Sequence, residues 1–176
     1  MPTPETIEVW LRGPLPGMPP LVQPVAHALL QAREELVAAL HDFPSELLNE
    51  RPAGVASVGF HLQHLSGVLS RLLTYARAEA LSAEQLSVFT AENAPLPLGP
   101  DTAAQLVQRF STEVEAALAQ LRATPEAALP EARGVGRAQI PTTLIGLLTH
   151  AAEHTTRHLG QLLVTARWVR SLAQTR

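Results

Sequence analysis

Histidine is the residue type in this chain that could carry out chemistry, judged by its number and its spacing. Five of the seven histidines fall in two segments, one with His61 and His64, the other with His150, His154 and His158. If the second segment is a helix, His154 and His158 lie about 40° apart on one inward face. Buried imidazoles need a partner for each nitrogen, and a divalent metal accepts a lone pair from both rings. The pair predicts a metal site; the alternative is that each ring only hydrogen-bonds neighbours in the core.

The third ligand is expected from the first segment, where the residues alone do not choose between His61 and His64. His61 lies about 40° from Leu65 on the apolar stripe of the predicted helix, whereas His64 lies about 100° from it. His150 lies at the edge of the stripe of the last helix, so it is an alternative ligand or an outer partner. The helix pattern leaves His61 and His64 as alternatives.

Proline positions indicate the elements that must hold these histidines. Proline breaks the interior of a helix, and the 15 prolines leave four long intervals with apolar residues at helical spacing. No segment shows sustained alternation of β-branched residues. The sequence predicts an all-α, up-and-down four-helix bundle with helices at 21–41, 57–80, 101–124 and 142–176.

The connections and helix ends complete this prediction. Ser82 followed by Gln85 predicts a capping box for a short extra helix, through Phe89, in the connection between helices 2 and 3. The segment 130–141 is interpreted as a linker. The domain division is a Pro-rich N-terminal arm at 1–20 and a metal-binding domain at 21–176. The predicted N-caps of the second, third and fourth helices are Ser57, Asp101, and Thr142 or Thr143.

Composition excludes several classes of function. There is no cysteine and no lysine, which excludes disulfides, cysteine zinc sites, a thiol nucleophile and Schiff-base chemistry. A net charge of -3 argues against nucleic acid as a partner. No stretch approaches the length of a membrane span and no signal peptide pattern is present, so no membrane is expected and the predicted location is cytoplasmic. Neither Glu-x-x-His nor His-Glu-x-x-His occurs, which excludes di-iron carboxylate and zinc-protease sites.

Two segments resemble a known family. The run from His154 to Leu162 resembles the HxxxHxGQ signature that ends the last helix of the DinB-like family of bacterial metal-binding four-helix bundles. The run from Ser57 to Leu65 is similar to helix 2 of that family, in which the later histidine is the ligand. The resemblance covers about residues 20–175 and implies that His64, His154 and His158 hold the metal, with His61 nearby. It also implies a homodimer.

This resemblance sets the functional expectations. Three neutral imidazoles leave open positions on a metal, as in catalytic sites, and zinc is the first choice by ligand type, followed by nickel or iron. The expected activity is metal-dependent activation of a thiol or water, of the thiol S-transferase or hydrolase type, with a small-molecule substrate such as a low-molecular-weight thiol. Gln161 is expected to orient a ligand or bound water. The alternatives are a stress-associated metal- or ligand-binding protein without turnover, and a purely structural bundle.

Other residues receive simpler interpretations. Many family members carry an acidic residue one turn after the helix 2 ligand, where this chain has Val68, so the sequence predicts that the site lacks a carboxylate partner. His27 and His41 are expected at the surface. Arg71 and Arg157 are expected on solvated helix faces, with contact to an anionic substrate as the alternative.

Overall fold

The computed structural model describes residues 7–175, which form five α-helices and one two-stranded hairpin. Short 3-10 turns precede α1 and lie in the loops. No helix of these residues combines the length and the apolar composition that crossing a membrane requires. The elements in chain order are α1 (Gln23–Ala39), α2 (Val58–Ala76), α3 (Ala83–Ala91), α4 (Thr102–Ala123), β1 (Ala132–Val135), β2 (Ile140–Thr143) and α5 (Leu144–Gln174).

The four long helices pack through their apolar stripes. α2 contacts α4 and α5, and α1 contacts the same two helices. Phe110 of α4, Leu65 of α2 and Leu162 of α5 are fully buried between them. Burial of each such side chain contributes about 1.5–3 kcal/mol of transfer free energy. The predominantly α-helical class predicted from the sequence is confirmed.

The helix ends confirm three of the predicted caps and correct one. The Ser57 hydroxyl accepts a hydrogen bond from the Phe60 amide at 3.1 Å at the start of α2. Ser82 and Gln85 form the capping box of α3, and the Thr143 hydroxyl accepts a hydrogen bond from the Gly146 amide at the start of α5. Asp101 lies at the start of α4, but its side chain makes no capping hydrogen bond. The Ser45 hydroxyl accepts from the Ala103 amide instead, at 3.1 Å, because the loop before α2 packs on this helix end.

The hairpin corrects the interpretation of 130–141 as a linker. β1 and β2 pair antiparallel, with Ala132 opposite Thr143 and Val135 opposite Ile140. Gly136 and Gln139 in the turn have positive φ angles. Four-residue strands are too short to show an alternating pattern, which is why the sequence did not reveal them. β1 contacts α2 and β2 leads directly into α5, so the hairpin lies beside the two histidine-bearing helices.

Candidate metal centre

Packing of α2 against α5 brings three imidazoles together. His64 of α2 and His154 and His158 of α5 each offer one nitrogen, and these three atoms lie within 4.8 Å of one another. The Nε2 atoms of His64 and His154 are 2.9 Å apart. The ring centroid of His158 lies 4.4 Å from that of His64 and 4.5 Å from that of His154. We call His64, His154 and His158 the three-histidine group.

The donor set fits a divalent cation. Zinc–nitrogen bonds of about 2.1 Å place two nitrogens of a tetrahedral site about 3.4 Å apart, a spacing between the observed 2.9 Å and 4.8 Å limits. Burial, then protonated His158 and His64, lowers the pKa of His154 from 6.5 to about 4, so its ring is neutral at physiological pH. Burial and the same kind of repulsion from His64 also lower the pKa of His158. Neutral imidazoles are the form that binds metal.

His61 and His64 occupy different positions relative to the three-histidine group. His61 is 3% exposed, and its Nδ1 lies 3.2 Å from Nδ1 of His158. Burial, followed by repulsion from His158 and His64, lowers the pKa of His61 to about 4. A neutral His61 can accept a hydrogen bond from Nδ1–H of His158, which leaves the other nitrogen of His158 with its lone pair free. His61 therefore contacts one member of the three-histidine group from outside it.

The remaining site predictions fall at the edge of this cluster. His150 has a half-exposed side chain that pairs with Glu153 at 3.2 Å, and its ring centroid lies 5.2 Å from that of His154. Gln161 is exposed on α5, and within residues 7–175 no hydrogen bond connects it to the three-histidine group. The role proposed for Gln161 in orienting a ligand or water stays a prediction.

A carboxylate does reach the site, which corrects the prediction that none would. Glu92, the residue after α3, is 3% exposed, and its Oε2 accepts a hydrogen bond from Nδ1 of His64 at 2.9 Å. Burial opposes ionisation of Glu92, but hydrogen bonds from His64 and Arg71 outweigh it and hold the pKa of Glu92 below its usual value. Donation from Nδ1 fixes the tautomer of His64 and leaves Nε2 unprotonated toward His154.

The position of Arg71 is the second correction to the sequence analysis. The prediction of a solvated helix face is wrong, because Arg71 is 6% exposed and its guanidinium donates to both carboxylate oxygens of Glu92. A β-carbon on Gly67 would overlap the Glu92 carboxylate and the Arg71 guanidinium, so only glycine leaves room for this pair. A glycine inside a helix costs about 1 kcal/mol relative to alanine, so Gly67 was the one sequence signal of a close approach here.

Of the two other histidines, one confirms the predicted surface position and one contradicts it. His41 is exposed at the end of α1, as predicted. The surface prediction is wrong for His27, which is half-buried in α1, and its Nε2 has neither solvent contact nor a hydrogen-bond partner among residues 7–175. α1 packs on α4 and α5 and is also covered by the short turns that precede it, so less of its surface is free than the helix pattern suggested.

Comparison with known families agrees with this geometry. The family model described as the DinB superfamily matches residues 28–162, which include α2, the three-histidine group and Glu92. The chain belongs to the DinB superfamily. No curated protein matches this DinB chain significantly. DinB-like proteins bind metals, and the three-histidine group of this chain could hold one.

The DinB resemblance also locates where this chain departs from the expected pattern. Val68, one turn after His64, occupies the place at which many family members carry an acidic residue, and it is partly buried. Glu92 supplies the carboxylate from the loop after α3 instead, 28 residues along the chain from His64. In this DinB chain the loop after α3, rather than α2 itself, therefore supplies the carboxylate that orients His64.

We expect the metal-free DinB protein to lose stability as the pH falls. The folded-state pKa values of His61 and His154 are about 4, below the usual 6.5. Between pH 4 and pH 6.5 the unfolded chain binds protons on these rings that the folded chain does not. The contribution of the two neutral rings to folding stability is therefore complete above the unfolded-state pKa of 6.5 and is lost as the pH falls toward the folded-state pKa of about 4. Unfolding near pH ~5 should take up roughly one to two protons from these rings.

Thermal unfolding of metal-free protein between about pH 4 and pH 8 measures this dependence, since its slope gives the number of protons taken up. The His61→Gln variant removes one of the two rings. Its stability should therefore vary less steeply with pH than that of the parent protein. Equal slopes for the two proteins would contradict the prediction.

Proposed function

We propose that this chain is a divalent-metal-dependent enzyme whose three-histidine group holds zinc, with nickel or iron as the next choices. The observation that carries the proposal is the convergence of three imidazole nitrogens from two helices at a half-buried position, within 4.8 Å of one another. A divalent cation with three imidazole ligands and open positions lowers the pKa of a thiol or water toward neutrality. Neither cysteine nor lysine is present in the chain to supply a nucleophile of its own.

The side chains around the group have defined parts in this proposal. Glu92 accepts a hydrogen bond from Nδ1 of His64, and in this proposal His61 accepts one from Nδ1 of His158, so both rings turn an unprotonated nitrogen toward the shared position. Phe60 stacks on His64, with centroids 5.4 Å apart and planes 10° from parallel, and limits rotation of that ring. These contacts preorganise the ligands before any ion binds.

The most concrete reaction is transfer of a low-molecular-weight thiol to an electrophile, with hydrolysis by an activated water as the related possibility. Both use a small-molecule substrate, and both place the activation of the nucleophile at the three-histidine group. The four long helices are proposed to form an up-and-down bundle, in a cytoplasmic protein. A homodimer is supported by an exposed apolar stripe on α5, which consists of Val164, Trp168 and Leu172 at helical spacing.

A metal- or ligand-binding protein without turnover is the second candidate. It is favoured by the bonding of Glu92, whose carboxylate is held by both Arg71 and His64. That carboxylate is therefore committed to positioning and is not free to move a substrate proton. The two candidates share the metal site and differ only in whether a reaction follows.

Single-turnover assays distinguish these functions. We expect protein loaded separately with zinc, nickel or ferrous iron to form a conjugate between a low-molecular-weight thiol and a bimane electrophile faster than the protein-free reaction. The His158→Ala variant should lose the acceleration, because it lacks one of three ligands, and the exposed His41→Ala variant should keep it. Metal-loaded protein that forms no conjugate and hydrolyses no ester or amide of a test panel would favour the binding protein.

A further inference from the structure

A groove along α2 has the size of a small-molecule site. It lies between α2, α3 and the turn of the hairpin and has a volume of about 620 Å³. Small-molecule pockets usually measure about 300–1,000 Å³ and are mostly apolar with a few polar groups. We call it the Arg137 groove; the side chains that matter here are Val68, Leu72, Tyr75, Leu86, Phe89 and Arg137.

The groove follows the face of α2 that carries His64. Val68, Arg71 and Tyr75 come four, seven and eleven residues after His64, which places them within about 40° of it around the helix. At 1.5 Å per residue, the groove begins about 6 Å from His64 along the axis of α2 and extends to about 16 Å. A molecule lying in it has one end about one helical turn from His64 and the other beside the hairpin.

The arginines in and beside the groove differ in whether other residues of the protein bind their guanidinium groups. Arg71 is neutralised by Glu92, and its guanidinium lies 4.4 Å from the ring centroid of Phe89. In the hairpin, Arg133 donates to the carbonyl of Ala76 at 2.7 Å and to Glu131 at 3.0 Å. Arg137, at the end of the groove away from His64, forms no hydrogen bond or ion pair with any residue between 7 and 175.

We propose that the Arg137 groove binds the apolar body of an amphipathic anionic substrate of the metal centre, with the acidic group of that substrate on Arg137. This inference rests on the proposed function for the reactive end of the molecule. The apolar body contacts Leu72, Leu86 and Phe89, of which Leu86 is 41% and Phe89 53% exposed and both gain burial from a ligand. A carboxylate or phosphate satisfies the Arg137 guanidinium, which donates to such groups in a bidentate manner.

Calorimetric titration of metal-free protein with dodecanoate tests the groove independently of the metal. We expect saturable binding of dodecanoate that is roughly tenfold tighter than binding of dodecanol, because only the carboxylate pairs with Arg137. Arg137→Gln should remove that preference. Leu86→Ala should weaken both ligands by roughly threefold or more through lost apolar contact.

Two matched variants serve as controls. Arg122→Gln makes the same change of charge on α4 outside the groove, and Leu98→Ala truncates a leucine of similar exposure, 45%, in the loop before α4. Neither should alter dodecanoate binding. Absence of saturable binding, or equal effects of Arg137→Gln and Arg122→Gln, would overturn the groove proposal.

The metal enters in a second titration, with ω-mercaptododecanoate and protein loaded with cobalt. A thiolate-to-cobalt absorption band at lower ligand concentration than with mercaptoethanol is expected if the groove and the three-histidine group act together. Dodecanoate binding without any cobalt uptake leaves the groove intact and contradicts the proposed function. Cobalt uptake without Arg137-dependent dodecanoate binding contradicts the groove and leaves the proposed function intact.

Discussion

Replacing His158 with alanine is expected to abolish stoichiometric metal binding. Protein prepared without a histidine tag should contain about one divalent ion per chain, because three imidazoles preorganised within 4.8 Å of one another bind far more tightly than any isolated surface histidine. Loss of an outer partner alone costs about 10–100-fold in metal affinity, so loss of a direct ligand should cost more than about 100-fold. Elemental analysis and competition with a chromophoric chelator measure both quantities.

The same measurement on a set of single variants tests the assignment of each histidine. His64→Ala and His154→Ala should behave like His158→Ala, whereas His61→Ala should retain the ion with an affinity about 10–100-fold lower, as expected for an outer partner. His41→Ala, at an exposed position in the turn after α1, should bind like the parent. Retention of full affinity in His64→Ala together with its loss in His61→Ala would assign the helix 2 ligand to His61 instead.

Replacing Glu92 with alanine is expected to lower the free energy of unfolding by about 3–5 kcal/mol, since it leaves the buried Arg71 guanidinium without its counter-charge. The side chains of Arg71 and Glu92 are only 8% and 4% exposed, so solvent cannot replace the lost partner. Domains of this size have about 5–15 kcal/mol of stability in total, so the loss is severe. Urea denaturation of the metal-free variant measures it without any contribution from bound ion.

Glu115→Ala is the matched control, because Glu115 also pairs with an arginine, Arg33, but is 59% exposed. Its loss should cost about 0–1 kcal/mol. The double variant Arg71→Met with Glu92→Leu should recover most of the stability lost in Glu92→Ala, because it removes both buried charges. If Glu92→Ala costs no more than Glu115→Ala, the buried pair does not stabilise the fold in the way inferred from its geometry.

Metal affinity separates the two roles of Glu92. Glu92→Gln keeps an oxygen that can accept a hydrogen bond from Nδ1 of His64 but removes the charge that neutralises Arg71. We therefore expect this variant to lose stability while keeping more metal affinity than Glu92→Ala. Equal metal affinity in Glu92→Ala and the parent would show that His64 is oriented by its packing alone.

The sequence by itself determined the helices and the pairing of two of the three histidines. Proline positions and apolar spacing identified the four long helices, and the Ser82–Gln85 capping box identified α3. The spacing of four residues placed His154 and His158 on one face of α5, where they are found together. These features could be predicted because helix periodicity and capping depend only on residues within about one turn of each other.

The helix pattern did not choose between His61 and His64, although the family resemblance implied His64, and only the tertiary structure shows which of them joins the group and what holds it. The helix wheel placed His61 further inward than His64, and His61 is indeed the more buried. The three-histidine group includes His64 because it forms at the rim of the α2–α5 contact, and the rotation of one helix against another depends on all the side chains packed between them. Glu92 comes from a loop whose path follows from the packing of the whole chain, so no local spacing could have linked it to His64 or shown that Arg71 is buried.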